Sequence, residues 1–510
     1  MKEEISVVNM DDNIQMIDKE EKQPILARDL LLIVGTLLLG ILFVTLFFEN
    51  TFGVSIPIFV LAFYAVMLLY NKKELIYGSV FGWFLALPIL MLSLTYFIYA
   101  NEFFRMLNLL ALPLLIILQT LLITGRNSFK WYSPAILLDL FFGIFYRCMI
   151  HIGKPFRLIG RLLTRKSGSS RLSPSAARVL TGLLISLPIV IILIVLLSSA
   201  DMVFGSMMNT IPDLLRALNL GEVVSRLIVA LVIFFLSFSY LWSIAYNDRP
   251  LNSLTESIKG SLPKVWEPVT ILTITAAIDL IYVAFVLIQF TYLFGGANFG
   301  LPADFTYSEY AHRGFFELLA VTLINIGILA AFLSFTKKAG TKSALALRIL
   351  YSVMISCTFV MLFSAHFRMS LYEEAYGYTY LRMFTHAFMV FLLILFIITL
   401  YRVWADGAPL LKPYLIAAII AFVAINYLNV DVLIANNNIE RYNKTGAIDA
   451  AYLTVLSNDA IPRIAALTES NPEVAGELNA FLDNKKQELS RNKGWQSFNL
   501  ADYQAAKALK

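Results

Sequence analysis

Residues Leu30–Phe48 read LLLIVGTLLLGILFVTLFF, a run of nineteen positions without a charge. About 20 apolar residues, rising 1.5 Å each, cross the roughly 30 Å hydrocarbon core of a bilayer, so this run is long enough to span it. Runs of the same kind return at 54–70, 76–100, 106–124, 179–198, 223–246, 269–292, 314–335, 348–365, 380–400 and 413–434. Eleven spans are therefore expected. The composition agrees: 59% of the 510 residues are hydrophobic and 15% charged, and the mean hydropathy is +0.73, whereas an ordinary soluble domain is about 25% charged. A soluble enzyme and a disordered chain are excluded. The two cysteines, Cys148 and Cys357, are too few for a disulfide framework. A net charge of +5 is too slight to imply nucleic acid as a partner. The fold class expected is an all-α integral membrane protein of about eleven transmembrane helices with a small C-terminal extracytoplasmic helical domain.

Charge placement orients the chain. Loops on one side, with the N-terminal tail, hold 25 Lys and Arg residues, whereas the opposite loops hold six: Arg105, Arg216, Arg226, Arg313, Arg368 and Arg382. Basic loops stay cytoplasmic, so the N-terminus is expected inside and the C-terminus outside. An acidic tail at 1–29 has the wrong sign for a signal peptide. Residues 30–124 then form a four-helix membrane part, 125–178 a basic cytoplasmic helix and linker, 179–435 a seven-helix core and 436–510 the external domain. The last has nine basic and nine acidic residues and no long apolar run. Asp449 and Asp459 are expected to cap short helices there, and Asn471-Pro472 to start a longer one.

The stretch 135–152 is apolar, but a span there would bury Asp139 and Arg147 and strand the basic run 154–178 on the wrong side. It is read instead as interfacial. Arg147, Lys154, Arg157, Arg161 and Arg165 recur with helical spacing and predict one basic stripe facing anionic headgroups or a cytoplasmic partner.

Polar groups inside lipid need a partner or a purpose. Asp279 and Asn325 each lie about 18 Å into consecutive antiparallel spans, and Asn426 reaches a similar depth in the last. Together they predict either a midplane ion site or a neutral, hydrogen-bonded set that joins helices.

The outer boundary is denser. Asp201 ends the fifth span. Glu309, His312, Arg313 and Glu317 start the eighth. His366, Arg368, Tyr372, Glu373 and Arg382 fill the next outer loop, with His386 just inside the tenth span, and Asn429, Asp431, Asn438 and Arg441 leave the last. This polar collar is expected to converge as one site. Such a set can ligate a metal, bind phosphate, hold an acid–base pair or anchor helix ends to headgroups. No HExxH, CxxC pair, GxSxG or P-loop is present, so no metal and no cofactor is expected and no catalytic residue is assigned.

At these residues the chain resembles a known family. The runs YSEYAHRGFFEL (307–318) and SAHFRMSLYEEAYGYTYLR (364–382), with Asn429-Val-Asp431, Asn438 and Arg441, are similar to the uncharacterised bacterial membrane family catalogued as domain of unknown function 4173, related to 4153. So are the closing Asp449, Asp459, Trp495 and Asn499 motifs. The resemblance covers about residues 179–510. His312 departs from it, standing where a second arginine is expected beside Arg313. The resemblance implies a bacterial cytoplasmic membrane and supplies no mechanism. Three readings stay open: a sensor, scaffold or regulatory protein binding an envelope component or partner at its outer face, a transporter using Asp279, and an enzyme acting on a lipid-linked substrate.

Overall fold

The computed structural model describes residues 27–165, 190, 197, 220–246, 264–294, 307–405, 409–491 and 494–510. Every named element among them is a helix. The first group comprises α1 (Ala27–Phe47), α2 (Ser55–Tyr70), α3 (Val80–Phe84), α4 (Ala86–Ile98), α5 (Glu102–Ile123), α6 (Ile136–Ile144), α7 (Tyr146–Met149), α8 (Lys154–Arg165) and α9 (Leu220–Ala245). The second comprises α10 (Pro268–Phe294), α11 (Tyr307–Phe335), α12 (Thr341–Tyr376) and α13 (Tyr380–Trp404). Then come α14 (Leu411–Tyr427), α15 (Val430–Thr445), α16 (Ala450–Leu453), α17 (Ile461–Ser470), α18 (Pro472–Ser490) and α19 (Leu500–Ala508).

Eight helices among the described residues are long and apolar enough to cross a membrane, or nine if the bent pair α14–α15 is one span. The protein is an all-α, multi-pass membrane protein. Of the eleven stretches expected, 54–70 forms the 16-residue helix α2, and 179–198 lies outside the described residues apart from positions 190 and 197. The stretch 135–152 is broken between α6 and α7 and makes no span.

Lipid tails are as apolar as leucine, so helices in a bilayer associate through close packing and buried polar contacts. Helix α1 lies on α9 at Gly40, where a methyl group would run into the backbone carbonyl of Ala230. Phe234, Phe238 and Leu241 of α9 pack there with Leu32, Met67 and Tyr70. Helices α10 to α13 share a second core around Ile271, Leu329, Met354, Ile355 and Phe396. Helix α14 joins the first group, its Val423 packing among Ile89, Leu92 and Leu112.

The chain from α15 onward builds a core of its own from Ile434, Leu453, Ile461, Ile464 and Leu478. It sits at one end of the bundle, against the turns at 50–54, 99–101 and 377–380: Val54 N–H donates to the Phe498 carbonyl at 3.0 Å, and Thr51 N–H to Ser497 Oγ at 3.0 Å. Asp449 caps α16 through Tyr452 N–H at 2.9 Å, and Pro472 opens α18. Asp459 differs from expectation. Ser457 caps its short helix, and the Asp459 carboxylate points back to the membrane helices.

Candidate functional site

The last apolar run ends at Tyr427, earlier than its hydropathy indicates. Asn429 adopts the left-handed region at φ 44° and caps α15 through Val432 N–H, and the chain turns by 57° between α14 and α15. Asparagine accepts this conformation better than most residues because its short side chain bonds locally. The turn aims Asp431, in the first turn of α15, into the protein, where it is 1% exposed.

Three elements meet on that carboxylate. Asn101 Nδ2, at the start of α5, donates at 2.6 Å; Ser457 N–H donates at 2.8 Å; and the Tyr380 hydroxyl, at the start of α13, donates as well. A buried carboxylate tolerates its loss of water when donors surround it. Beside it, Asp459 accepts Ala100 N–H at 2.7 Å and the Ser457 hydroxyl at 2.9 Å. Burial pushes the Asp459 carboxyl up to about 6, against the pull of those hydrogen bonds. Asn499 closes the seam, its Nδ2 donating to the carbonyls of Tyr96 and Tyr99, each at 2.8 Å. The junction encloses about 10 Å³, room for roughly one water molecule, among Asn101, Arg105, Asn426, Asp431 and Asp459.

Outside this seam lies a groove of about 440 Å³, lined by Asn101 at the cap of α5, Glu102 and Phe103 on α5, Tyr380 on α13, residues 454–458, and Lys485 and Glu488 on α18. That size falls in the range of ligand pockets, about 300–1,000 Å³. Phe103 and Val455 expose more than half of their surface there.

The collar residues expected in a loop after 365 are helical. Helix α12 continues through Tyr376, 36 residues or about 54 Å in all. Apolar composition ends near 365, but no breaker appears before Gly377, and polar helix formers carry the helix onward. Gly377 stops it at φ 84°, where a Cβ would lie 2.7 Å from Asn438 Oδ1. Asn438 pairs with both backbone groups of Tyr378, accepting its N–H and donating to its carbonyl, each at 2.8 Å. Arg441 donates to the last carbonyls of α12, Glu374 at 2.8 Å and Ala375 at 2.7 Å. Arg382 caps Gly377 and stacks on the Tyr372 ring, 4.4 Å from its centroid. Glu373 meets His386 at 2.9 Å, and His386 meets His366 at 2.8 Å. Arg368 is buried on the same helix.

Arg382 of α13 and Asn438 and Arg441 of α15 therefore meet the C-terminal end of α12, and Glu373, His386 and His366 form a separate set of contacts. Glu317 is exposed on α11. Asp201 and the side chains of Glu309, His312 and Arg313 lie outside the described residues. Among the described residues no group of three or more His, Cys, Asp or Glu is arranged to hold a metal. Asn101, Tyr380, Ser457 and Asn499 belong to the junction without having been expected in the collar, since asparagine, tyrosine and serine at helix ends are ordinary caps; Tyr380 and Asn499 stood only within the family-like motifs. A hydropathy break at Tyr99-Ala100-Asn101 was the one available signal.

A family model described as "Domain of unknown function (DUF4153)" matches residues 86–467. The chain belongs to this family. No curated protein and no solved structure matches it. The DUF4153 region opens at the first residue of α4 and closes within α17, so it contains Asp431, Asp459 and the second helix group, and leaves out α1 to α3 and Asn499. It begins well before residue 179 and ends before residue 510, and α4 and α5 within it pack with α14.

Two other sets of DUF4153 residues fall differently from expectation. Asn325 accepts the Tyr282 hydroxyl at 2.6 Å and donates to Thr358 Oγ1 at 2.9 Å, tying α10, α11 and α12. Asn426 instead accepts Asn108 Nδ2 at 2.7 Å, tying α14 to α5. The partners of the two amides lie on different helices, so the midplane set is two networks. Asp279 is 4% exposed, and neither carboxyl oxygen has a hydrogen-bond partner among the described residues. The basic stripe is also divided. Arg147 is buried on α7 and donates to the Arg126 carbonyl at 3.1 Å, while a turn at 151–153 separates it from α8. Gly153 and Pro155 favour that break. On α8, Lys154 lies 5.9 Å from the Trp242 ring and Arg157 is exposed; the side chains of Arg161 and Arg165 lie outside the described residues.

Proposed function

We propose that this DUF4153 protein is a membrane-held sensor or scaffold that binds an envelope component in the groove between α5, Tyr380 and the tail. The observation that carries this reading is the junction itself. Asp431 and Asp459 fasten a separately packed helical tail to the helix ends and leave a ligand-sized groove beside the seam. Filling the groove with Val455→Trp should abolish binding of isolated envelope fractions to the full chain in nanodiscs. Equal binding by the filled variant would reject the groove as the site.

We also propose a bacterial cytoplasmic membrane, the relation to family 4173, a cytoplasmic N-terminus and an external tail. The 25-to-6 basic asymmetry supports this orientation. So does the position of the tail, which packs on the turns that the same threading puts outside. A phosphatase reporter after Lys510 should be active; a silent phosphatase with an active cytoplasmic reporter would reverse the topology.

Asp279 favours one second reading, ion-coupled transport. A buried intramembrane carboxylate without a hydrogen-bond partner among the described residues is a cation or proton site by default. Proton uptake by liposomes that persists in Asp279→Asn would exclude it.

A further inference from the structure

The proposed binding groove leaves one cluster unused, on the seam between α12 and α13. Glu373 is 4% exposed, and its Oε2 lies 2.9 Å from His386 Nε2. His386 Nδ1 lies 2.8 Å from His366 Nδ1, with the two rings nearly perpendicular at 79°. His366 is exposed, between Phe363 and Phe367, which are 57% and 45% exposed. The three groups thus run in line from the protein surface to a buried acid.

With Glu373 ionised and both imidazoles neutral, the two contacts assign the tautomers. An ionised Glu373 only accepts, so His386 donates from Nε2 and its Nδ1 carries a lone pair. That lone pair needs a donor, which makes His366 protonated at Nδ1 and bare at Nε2, on the exposed side. We propose that Glu373, His386 and His366 form a proton relay that takes a proton at the exposed imidazole and stores it on the buried carboxylate. The proton bonds to His366 Nε2; His366 Nδ1–H breaks as His386 Nδ1–H forms; His386 Nε2–H breaks as the O–H of Glu373 forms. One proton enters, one is stored, no electron moves, and both imidazoles end neutral with their tautomers exchanged.

Among the described residues, charged and titratable groups surround the relay on several elements. On α12 these are Arg368, Tyr372 and Glu374, and on α13 Arg382, whose guanidinium is turned to Gly377 and Tyr372. Tyr378 follows the helix, and α15 contributes Arg441, held by the Glu374 and Ala375 carbonyls. Glu317 of α11 is exposed. The second oxygen of Glu373 has no hydrogen-bond partner among the described residues and is the free end of the line.

The test uses the full chain in nanodiscs with ¹⁵N-labelled histidine. The protein has four histidines, so each signal is assigned by one substitution. In the unsubstituted protein near neutrality, His386 should show a bare Nδ1 and His366 a bare Nε2. On acidification a protonated-carboxyl infrared band should appear, absent in Glu373→Gln. His366→Ala should move its appearance to lower pH by about one unit, a tenfold loss of proton affinity. A bare Nε2 on His386 at neutral pH would overturn the relay without any substitution. So would an imidazolium on the pair while Glu373 stays ionised. Neither readout involves the groove, so failure here is distinct from failure of the proposed binding function.

Discussion

Asn101 and Asp431, 330 residues apart in the chain, are joined at 2.6 Å inside the protein. Asn101 is the N-cap of α5, and its Oδ1 accepts Phe104 N–H while its Nδ2 meets the carboxylate. One side chain therefore ends the loop from α4, starts α5 and holds the tail. Tyr380 and Ser457 complete the same carboxylate, so removing Asp431 strands three donors at once. Asp431→Ala should cost about 3 kcal/mol or more, at roughly 1–3 kcal/mol for each buried group left unpaired. Asp431→Asn keeps one acceptor and should cost less. Thermal unfolding in detergent, followed by tail proteolysis, measures both.

Asp459 sets a pH dependence. Its carboxyl titrates near 3.8 when unfolded and near 6 in the folded protein, because burial disfavours the charge. The folded state binds the proton more tightly, so this contribution to stability is complete below about 3.8. It is lost as the pH rises through about 6. Hydrogen exchange at α17 and α19 should accordingly quicken between pH 4 and 6 relative to Asp459→Asn, in which that slope is absent. An identical slope in both proteins would assign the effect to other groups.

Gly377 and Arg441 act on one helix end. Gly377→Ala forces a side chain into φ 84° and against Asn438 Oδ1; it should cost more than the roughly 1 kcal/mol typical of an ordinary glycine substitution. Arg441→Ala releases the Glu374, Ala375 and Ala447 carbonyls. Amide exchange over 372–378 should rise by about tenfold, and Arg441→Lys should not restore protection, since an ammonium lacks the fork that reaches several carbonyls.

Gly40 tests the first helix group. Gly40→Val must push α1 away from the Ala230 backbone. Overpacking of this kind typically costs about 1–3 kcal/mol. A lowered melting temperature with unchanged exchange in the tail would place the damage at the α1–α9 contact.

Asp279 is the opposite case. Replacing a buried polar group that has no partner with an apolar one of similar shape is neutral or stabilising. Asp279→Leu should therefore raise the melting temperature, and any loss of activity in that variant would then report function instead of folding.

Apolar runs of spanning length and the basic asymmetry were legible in the chain, because the cost of placing charge in hydrocarbon acts residue by residue and needs no knowledge of neighbours. The same local logic identified Asp449 as a cap and Pro472 as a helix start. It misplaced the ends of α12 and α14, because hydropathy marks where lipid ends, and backbone breakers such as Gly377 and Asn429 mark where a helix ends. Only the tertiary structure decided which collar residues meet. Asp431 finds Asn101, and Arg441 finds Glu374, across intervening helices, through distances and directions that no local pattern encodes. It also separated Asn325 from Asn426, which share a depth but bond to different helices. Depth in a bilayer is a one-dimensional property that a sequence carries; lateral arrangement of helices is two-dimensional and comes from packing such as Gly40 on Ala230.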